Sequence, residues 1–175
     1  MSIEIKSVKI KDSKPIIEFF QLDENGEHEA LQTYQSGPKC HPDFEKTIEK
    51  LKIHLAMMTY YLNPGSVKKI DTYEDKGGLV ESFSVGGYYI GGKEENQNVI
   101  IVGGRKLPNG KYQGLNSPLY LFAESDESGT KYKFMEELQL DLIDCEEEAK
   151  KYISGEKVWK DPQLKMELEE SEEAK

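Results

Sequence analysis

The side chains able to do chemistry are few and widely spaced. Cys40, His41, Asp43 and His54 are metal-competent types, and Cys145 is a second thiol. A zinc site gathers its ligands from paired short spacings, with bonds of about 2.0–2.3 Å. Adjacent Cys40 and His41 chelate poorly, and His41 and His54 stand 13 residues apart. One helix cannot bring both to one ion across roughly four turns. The expectation is therefore a helix-start residue at His41, a packed His54, and no metal or cofactor. Nucleophilic catalysis at a cysteine needs a nearby base and a polar, accessible setting. No local signature surrounds Cys40, and Cys145 falls on an apolar helical face. The enzymatic alternative is a metal-dependent hydrolase built on His41, His54 and nearby acids.

Four Gly-Gly pairs, at 77–78, 86–87, 91–92 and 103–104, lack the strand–loop–helix context of a phosphate cradle. Within strands, such glycines mark bulges, curvature or close backbone approach. Carboxylates at Glu124, Asp126, Glu127 and from Asp144 to Glu148 have no partnered histidine or lysine motif, and read as solvated surface. The remaining constellation is Tyr88, Tyr89, Arg105, Lys106, Lys111 and Tyr112, spread around consecutive hairpin strands. Gathered on one sheet surface, these rings would stack bases while the cations met phosphates, as in single-stranded nucleic-acid binders. The plainer reading is that tyrosines favour strands and the cations are solvated strand ends.

These residues must be placed by the elements around them. His41 to Leu62 is the most regular stretch: Phe44, Ile48, Leu51, Leu55, Met58 and Leu62 recur at steps of three and four, which predicts a helix with one buried face. Pro42 and Asp43 suit its first turn, and Asn63-Pro64-Gly65 stops it. Before it come three predicted strands, over 2–11, 15–22 and 27–35. The apolar phase changes between Ile5 and Val8, which predicts a bulge near Lys6-Ser7. Asp23-Glu24-Asn25-Gly26 is a hairpin turn. After the helix, a polar connector over 66–78 leads to strands over 79–90, 98–107 and 111–123, the last interrupted at Asn116-Ser117-Pro118. A second helix is predicted over 132–153, with Phe134, Leu138, Leu142, Cys145, Ala149 and Tyr152 on one face. The fold class is α+β: largely antiparallel sheet of about six strands in a βββ-α-βββ-α order, with two long helices packed on it. Residues 1–157 form one domain, and 158–175 read as an acidic, flexible tail.

The 175 residues carry a net charge of −10. Between 161 and 175, six acids face two lysines. Such a balance disfavours non-specific attraction to phosphate while leaving room for a local basic surface. No apolar run reaches the roughly 18 residues of a membrane span, and the start of the chain alternates rather than building a signal peptide. Two distant cysteines suit a reduced, cytoplasmic protein.

His41-Pro42-Asp43-Phe44 leading to Lys52-Ile53-His54-Leu55, and Gly104-Arg105-Lys106-Leu107 leading through Gly114-Leu115-Asn116-Ser117-Pro118, resemble stretches of small uncharacterised proteins encoded by bacteriophages and prophages. That resemblance carries no known activity. It implies only a setting in DNA replication or recombination, or in interference with a host. The sequence thus points to a non-enzymatic binding protein, with a protein partner or single-stranded nucleic acid as ligand and no membrane. An assembly component is the structural alternative, and the oligomeric state is left open.

Overall fold

The computed structural model describes residues 2–156, apart from Pro38, Asp126 and Ser128. The tail expected over 158–175 lies outside the described residues. Seven strands form a single antiparallel sheet: β1 (Ser2–Lys11), β2 (Lys14–Leu22), β3 (His28–Gln35), β4 (Phe83–Gly91), β5 (Asn98–Lys106), β6 (Tyr112–Asn116) and β7 (Tyr120–Leu121). Their order is β3-β2-β1-β4-β5-β6, with β7 also paired to β5. Two helices, α1 (Pro42–Met58) and α2 (Met135–Ile153), complete the α+β architecture.

Each half of the chain folds into a local meander, and the halves meet where β1 pairs β4. That junction is short: Ser7, Val8 and Lys9 oppose Tyr89, Tyr88 and Gly87. Gly87 permits it, because a Cβ there would run into the carbonyl of Val8. The β1–β2 register shifts between Ile5 and Ser7, so the change of apolar phase marks a real bulge. Its effect is to put both Ile5 and Val8 on the same buried face.

That face is the floor of the core. Ile5, Val8, Ile17, Phe19, Tyr88, Ile90, Val99 and Ile101 are buried on it. Alternation and the registers Ile5↔Phe19, Val8↔Ile17, Val8↔Tyr88 and Tyr88↔Ile101 place them together. Both helices lie on this side. Leu55 of α1 packs against Gly103, whose cross-strand partner is Val85. Tyr152 of α2 meets the ring of Tyr34, which is paired to Ile17.

Several boundaries differ from those the sequence predicts. α1 ends at Met58, not Leu62. Thr59 turns its hydroxyl back to the Leu55 carbonyl at 2.7 Å, and Tyr60 enters the left-handed region at φ 60°. Leu62 is nevertheless buried, held by its amide on the Ala56 carbonyl. The strand expected over 111–123 divides into β6 and β7 at Ser117-Pro118. There Ser117 engages β5 through both its backbone and its side chain: its amide donates to the Ile101 carbonyl at 2.8 Å, and its Oγ accepts from Ile101 N at 2.9 Å. α2 starts at Met135, after Phe134 in a non-helical conformation at φ −108° and ψ 37°, with no side-chain cap. Tyr132 is instead drawn into the core by His54, and Lys133 donates to the Val67 carbonyl at 2.7 Å. β4 begins at Phe83, after a single 3-10 turn over Val80–Ser82.

Candidate nucleic-acid interface

With both helices on one side, the other face of the sheet is bare. Its composition follows from the ladders. On β1 and β2 the outward positions are Glu4, Ser7, Lys9 and Lys11, opposed by Phe20, Glu18, Ile16 and Lys14. Across the junction, Ser7 meets Tyr89, Tyr89 meets Ile100, and Gly87 meets Val102. Further along β5, Gly104 faces Gly114 and Lys106 faces Tyr112. Lys6, in the bulge, swings to the same side and sets its Nζ 5.2 Å from the centre of the Phe20 ring.

Rings and cations are paired on this surface. Lys9 Nζ lies 4.9 Å from the centre of the Tyr89 ring. A hydrogen bond with Tyr89 is the largest cause raising the Lys9 pKa above its ordinary value, with the charge of Glu18 adding to it. The ammonium is thus firmly held in its charged form. His28 stacks on Phe20 with centroids 4.1 Å apart and planes within 4°. The Tyr112 ring lies across Gly104, where a Cβ would collide with it, and its hydroxyl reaches Ser84 Oγ. The two carboxylates at outward ladder positions are each engaged: Ser7 Oγ donates to Glu18 at 2.6 Å, and Glu4 meets His28 Nε2 at 2.9 Å. Five lysines (Lys6, Lys9, Lys11, Lys14, Lys106) therefore share one face with three rings.

The six residues singled out from the sequence divide between the two faces. Tyr89, Lys106 and Tyr112 lie on the bare side. Lys111 sits at the Pro108–Gly110 turn, its amide donating to Asn109 Oδ1 at 3.0 Å. Tyr88 is 0% exposed on the helix side. Its hydroxyl has no hydrogen-bond partner, and burial pushes its pKa far up, with Cys145 and Glu146 as further causes. Arg105 is on the helix side too. Its guanidinium lies 4.8 Å from the Tyr61 ring centre and 5.8 Å from that of Phe83, and Nε donates to Ser82 Oγ at 3.3 Å. Adjacent strand residues point oppositely, so Tyr88-Tyr89 and Arg105-Lys106 could never share a face. The residues that sequence reasoning missed are Lys6, Lys9, Lys11, Lys14 and Phe20. Alternation in β1 shows Lys9 and Lys11 outward, but only the β1–β4 pairing brings Lys9 beside Tyr89.

The alternative chemical centres are dispersed. His41 caps α1, its Nδ1 accepting from Asp43 N at 3.1 Å. His54 is 0% exposed and bridges Tyr132 OH at 2.8 Å and Asp141 Oδ2 at 3.1 Å. A carboxylate only accepts, so Nε2 carries a proton; in the neutral ring Nδ1 then accepts from Tyr132. Lys50 continues the link between the helices, with Nζ 2.6 Å from Asp144. Among the described residues no group of three or more His, Cys, Asp or Glu is placed to hold a metal ion. Burial pushes the thiols of Cys40 and Cys145 up to about 11 and about 12, which leaves neither poised as a nucleophile at neutral pH. No helix among the described residues is long and apolar enough to cross a membrane.

Comparisons of the chain with family models, with curated proteins and with solved structures returned no match.

Proposed function

We propose that this protein binds single-stranded nucleic acid on the bare face of its sheet, in a phage-like setting of DNA metabolism, without catalysing a reaction. One observation carries the reading: five lysines and the rings of Phe20, Tyr89 and Tyr112 share a surface with only two ladder carboxylates, both already engaged. In a chain of net charge −10, this is a marked separation of charge. The acids gather elsewhere, with seven on α2 alone against two lysines. Exposed rings offer stacking platforms to unpaired bases, and the ammonium groups meet the backbone phosphates. Duplex DNA keeps its bases stacked on one another and would use only the cations.

The test is fluorescence anisotropy with a labelled pyrimidine oligonucleotide at low salt, in wild type and in a Lys9→Glu, Lys11→Glu variant. Binding is expected, stronger for the single strand than for the duplex, and weakened about tenfold or more by the charge reversal. Absence of binding at low salt would remove the reading and favour a protein partner for the same surface.

A further inference from the structure

The two halves of the sheet separate beyond their junction. β1 continues to Ser2 along β2, and β4 to Gly91 along β5, but the ladder between β1 and β4 stops at Ser7 and Tyr89. The β1 bulge lies where that ladder stops, between Ile5 and Ser7. An inserted residue bends its strand and increases the local twist, so β1 turns away from β4 and a cleft opens between them. The cleft has two lobes. The smaller, of about 290 Å³, has Lys6, Phe20 and Ile90 in its walls. The larger, of about 540 Å³, adds Glu27, Glu94 and Gln97. Glu4, His28 and Lys93 line both.

The walls are organised. The His28 ring lies flat on Phe20, centroids 4.1 Å apart, and its Nε2 is 2.9 Å from Glu4 Oε2. Stacking from β2 and a hydrogen bond from β1 thus fix one ring orientation, and a ring already fixed loses little freedom when a ligand packs on it. Lys6 Nζ stands 5.2 Å from the Phe20 ring centre, and Lys93 is exposed in the loop after β4, across the cleft from Lys6. Gly92, at φ 69°, closes that loop so tightly that a Cβ would run into the Asn96 carbonyl. The charges are sorted by lobe. The smaller holds both lysines beside Glu4, a carboxylate already engaged by His28; the larger brings in Glu27 and Glu94.

We propose that this cleft binds a nucleoside 5′-phosphate, either free or as the end of a strand. The phosphate lies between Lys6 and Lys93, where two ammonium groups meet one anion. The base packs against the His28–Phe20 pair. Sugar hydroxyls and a base amino group donate to Glu27 and Glu94, which only accept when ionised. Phosphate alone would leave the rings and the larger lobe unused, and a simple amine would be repelled by the lysines. The cleft shares Lys6 and Phe20 with the surface proposed above, but not Lys9, Lys11, Tyr89 or Tyr112, so either assignment can fail without the other.

The test is a titration of isotopically labelled full-length protein with adenosine 5′-monophosphate at low salt, followed by amide NMR shifts, with adenosine and inorganic phosphate as separate probes. Saturable shifts are expected at Lys6, Phe20, His28 and Lys93, with adenosine and phosphate each binding far more weakly. His28→Ala should weaken the nucleotide about tenfold, as loss of a stacking ring does. Lys93→Glu, at an exposed loop position that leaves the core intact, should weaken it severalfold. Oligonucleotides with a 5′-phosphate or a 5′-hydroxyl separate the two sources: preference for the phosphorylated end assigns the cleft to strand ends, and equal affinity assigns it to free nucleotide. No saturable shift with the nucleotide overturns the proposal. So do shifts that both variants leave unchanged, and equal binding of phosphate alone, which would make the cleft a general anion site. Nucleotide binding without oligonucleotide binding would keep the cleft and remove the reading of the sheet face; the reverse would keep the face and remove the cleft.

Discussion

Tyr88 and Tyr89 show how one residue step decides a role. Tyr88 sends its ring into the core, where its hydroxyl finds no partner; Tyr89 presents its ring to solvent under the Lys9 ammonium. The two should therefore answer mutation in opposite ways. Tyr88→Phe removes a buried, unsatisfied hydroxyl and should stabilise the protein by about 1 kcal/mol, leaving oligonucleotide affinity unchanged. Tyr89→Ala should leave chemical stability nearly unchanged but cost about 1–3 kcal/mol of binding, the usual worth of a stacked base. Urea denaturation and anisotropy on the same two variants separate these outcomes, and a binding loss in Tyr88→Phe would contradict the division of faces. At this scale the sequence was half legible. It showed aromatic and basic residues on neighbouring strands. It also contained the alternation that forbids Tyr88 and Tyr89, or Arg105 and Lys106, from acting side by side.

Among the elements, the two helices were the most readable, because a 3.6-residue period needs no knowledge of what lies opposite. Their ends were less so. The stop of α1 depends on Thr59 and Tyr60, and the start of α2 on Tyr132 leaving the helix to reach His54. The clasp between the helices was invisible in sequence, since His54 and Asp141 are brought together only by packing. It should matter to stability in proportion to its burial. His54→Ala strands the Tyr132 hydroxyl and an Asp141 oxygen and should cost about 2–3 kcal/mol in urea denaturation. Lys50→Ala breaks a half-exposed pair with Asp144, 49% and 48% exposed, and should cost no more than about 0.5 kcal/mol. Equal costs would mean that the buried link is not what joins α1 to α2.

For the molecule as a whole, the sequence disclosed the net charge but not its separation. Lys9 becomes a neighbour of Tyr89, and Lys6, Lys11 and Lys14 come to share a sheet face with it, only because β1 pairs β4 across the two halves. That contact joins residues some eighty positions apart, and local pattern carries no trace of it. The buried acids set a second global property. The Cys40 and Cys145 thiols titrate at 9.0 when unperturbed and at about 11 and about 12 in the fold. Above pH 9 the unfolded chain loses these protons while the native state keeps them. Stability must then fall as pH rises from about 9 towards 11–12, each thiol contributing a slope of up to about 1.4 kcal/mol per pH unit. The buried tyrosines, shifted the same way, add to the fall. A urea midpoint that held steady over this range, or a Cys40→Ser, Cys145→Ala variant with an undiminished slope, would contradict that origin. The central claim concerns place, and the most direct measurement is a titration of isotopically labelled protein with a short single-stranded oligonucleotide, followed by amide NMR shifts. The account predicts that the shifts gather on the bare face of β1, β2, β4 and β5, around Lys9, Lys11, Phe20, Tyr89 and Ile100. Shifts confined to α1 and α2, or none at all, would contradict it.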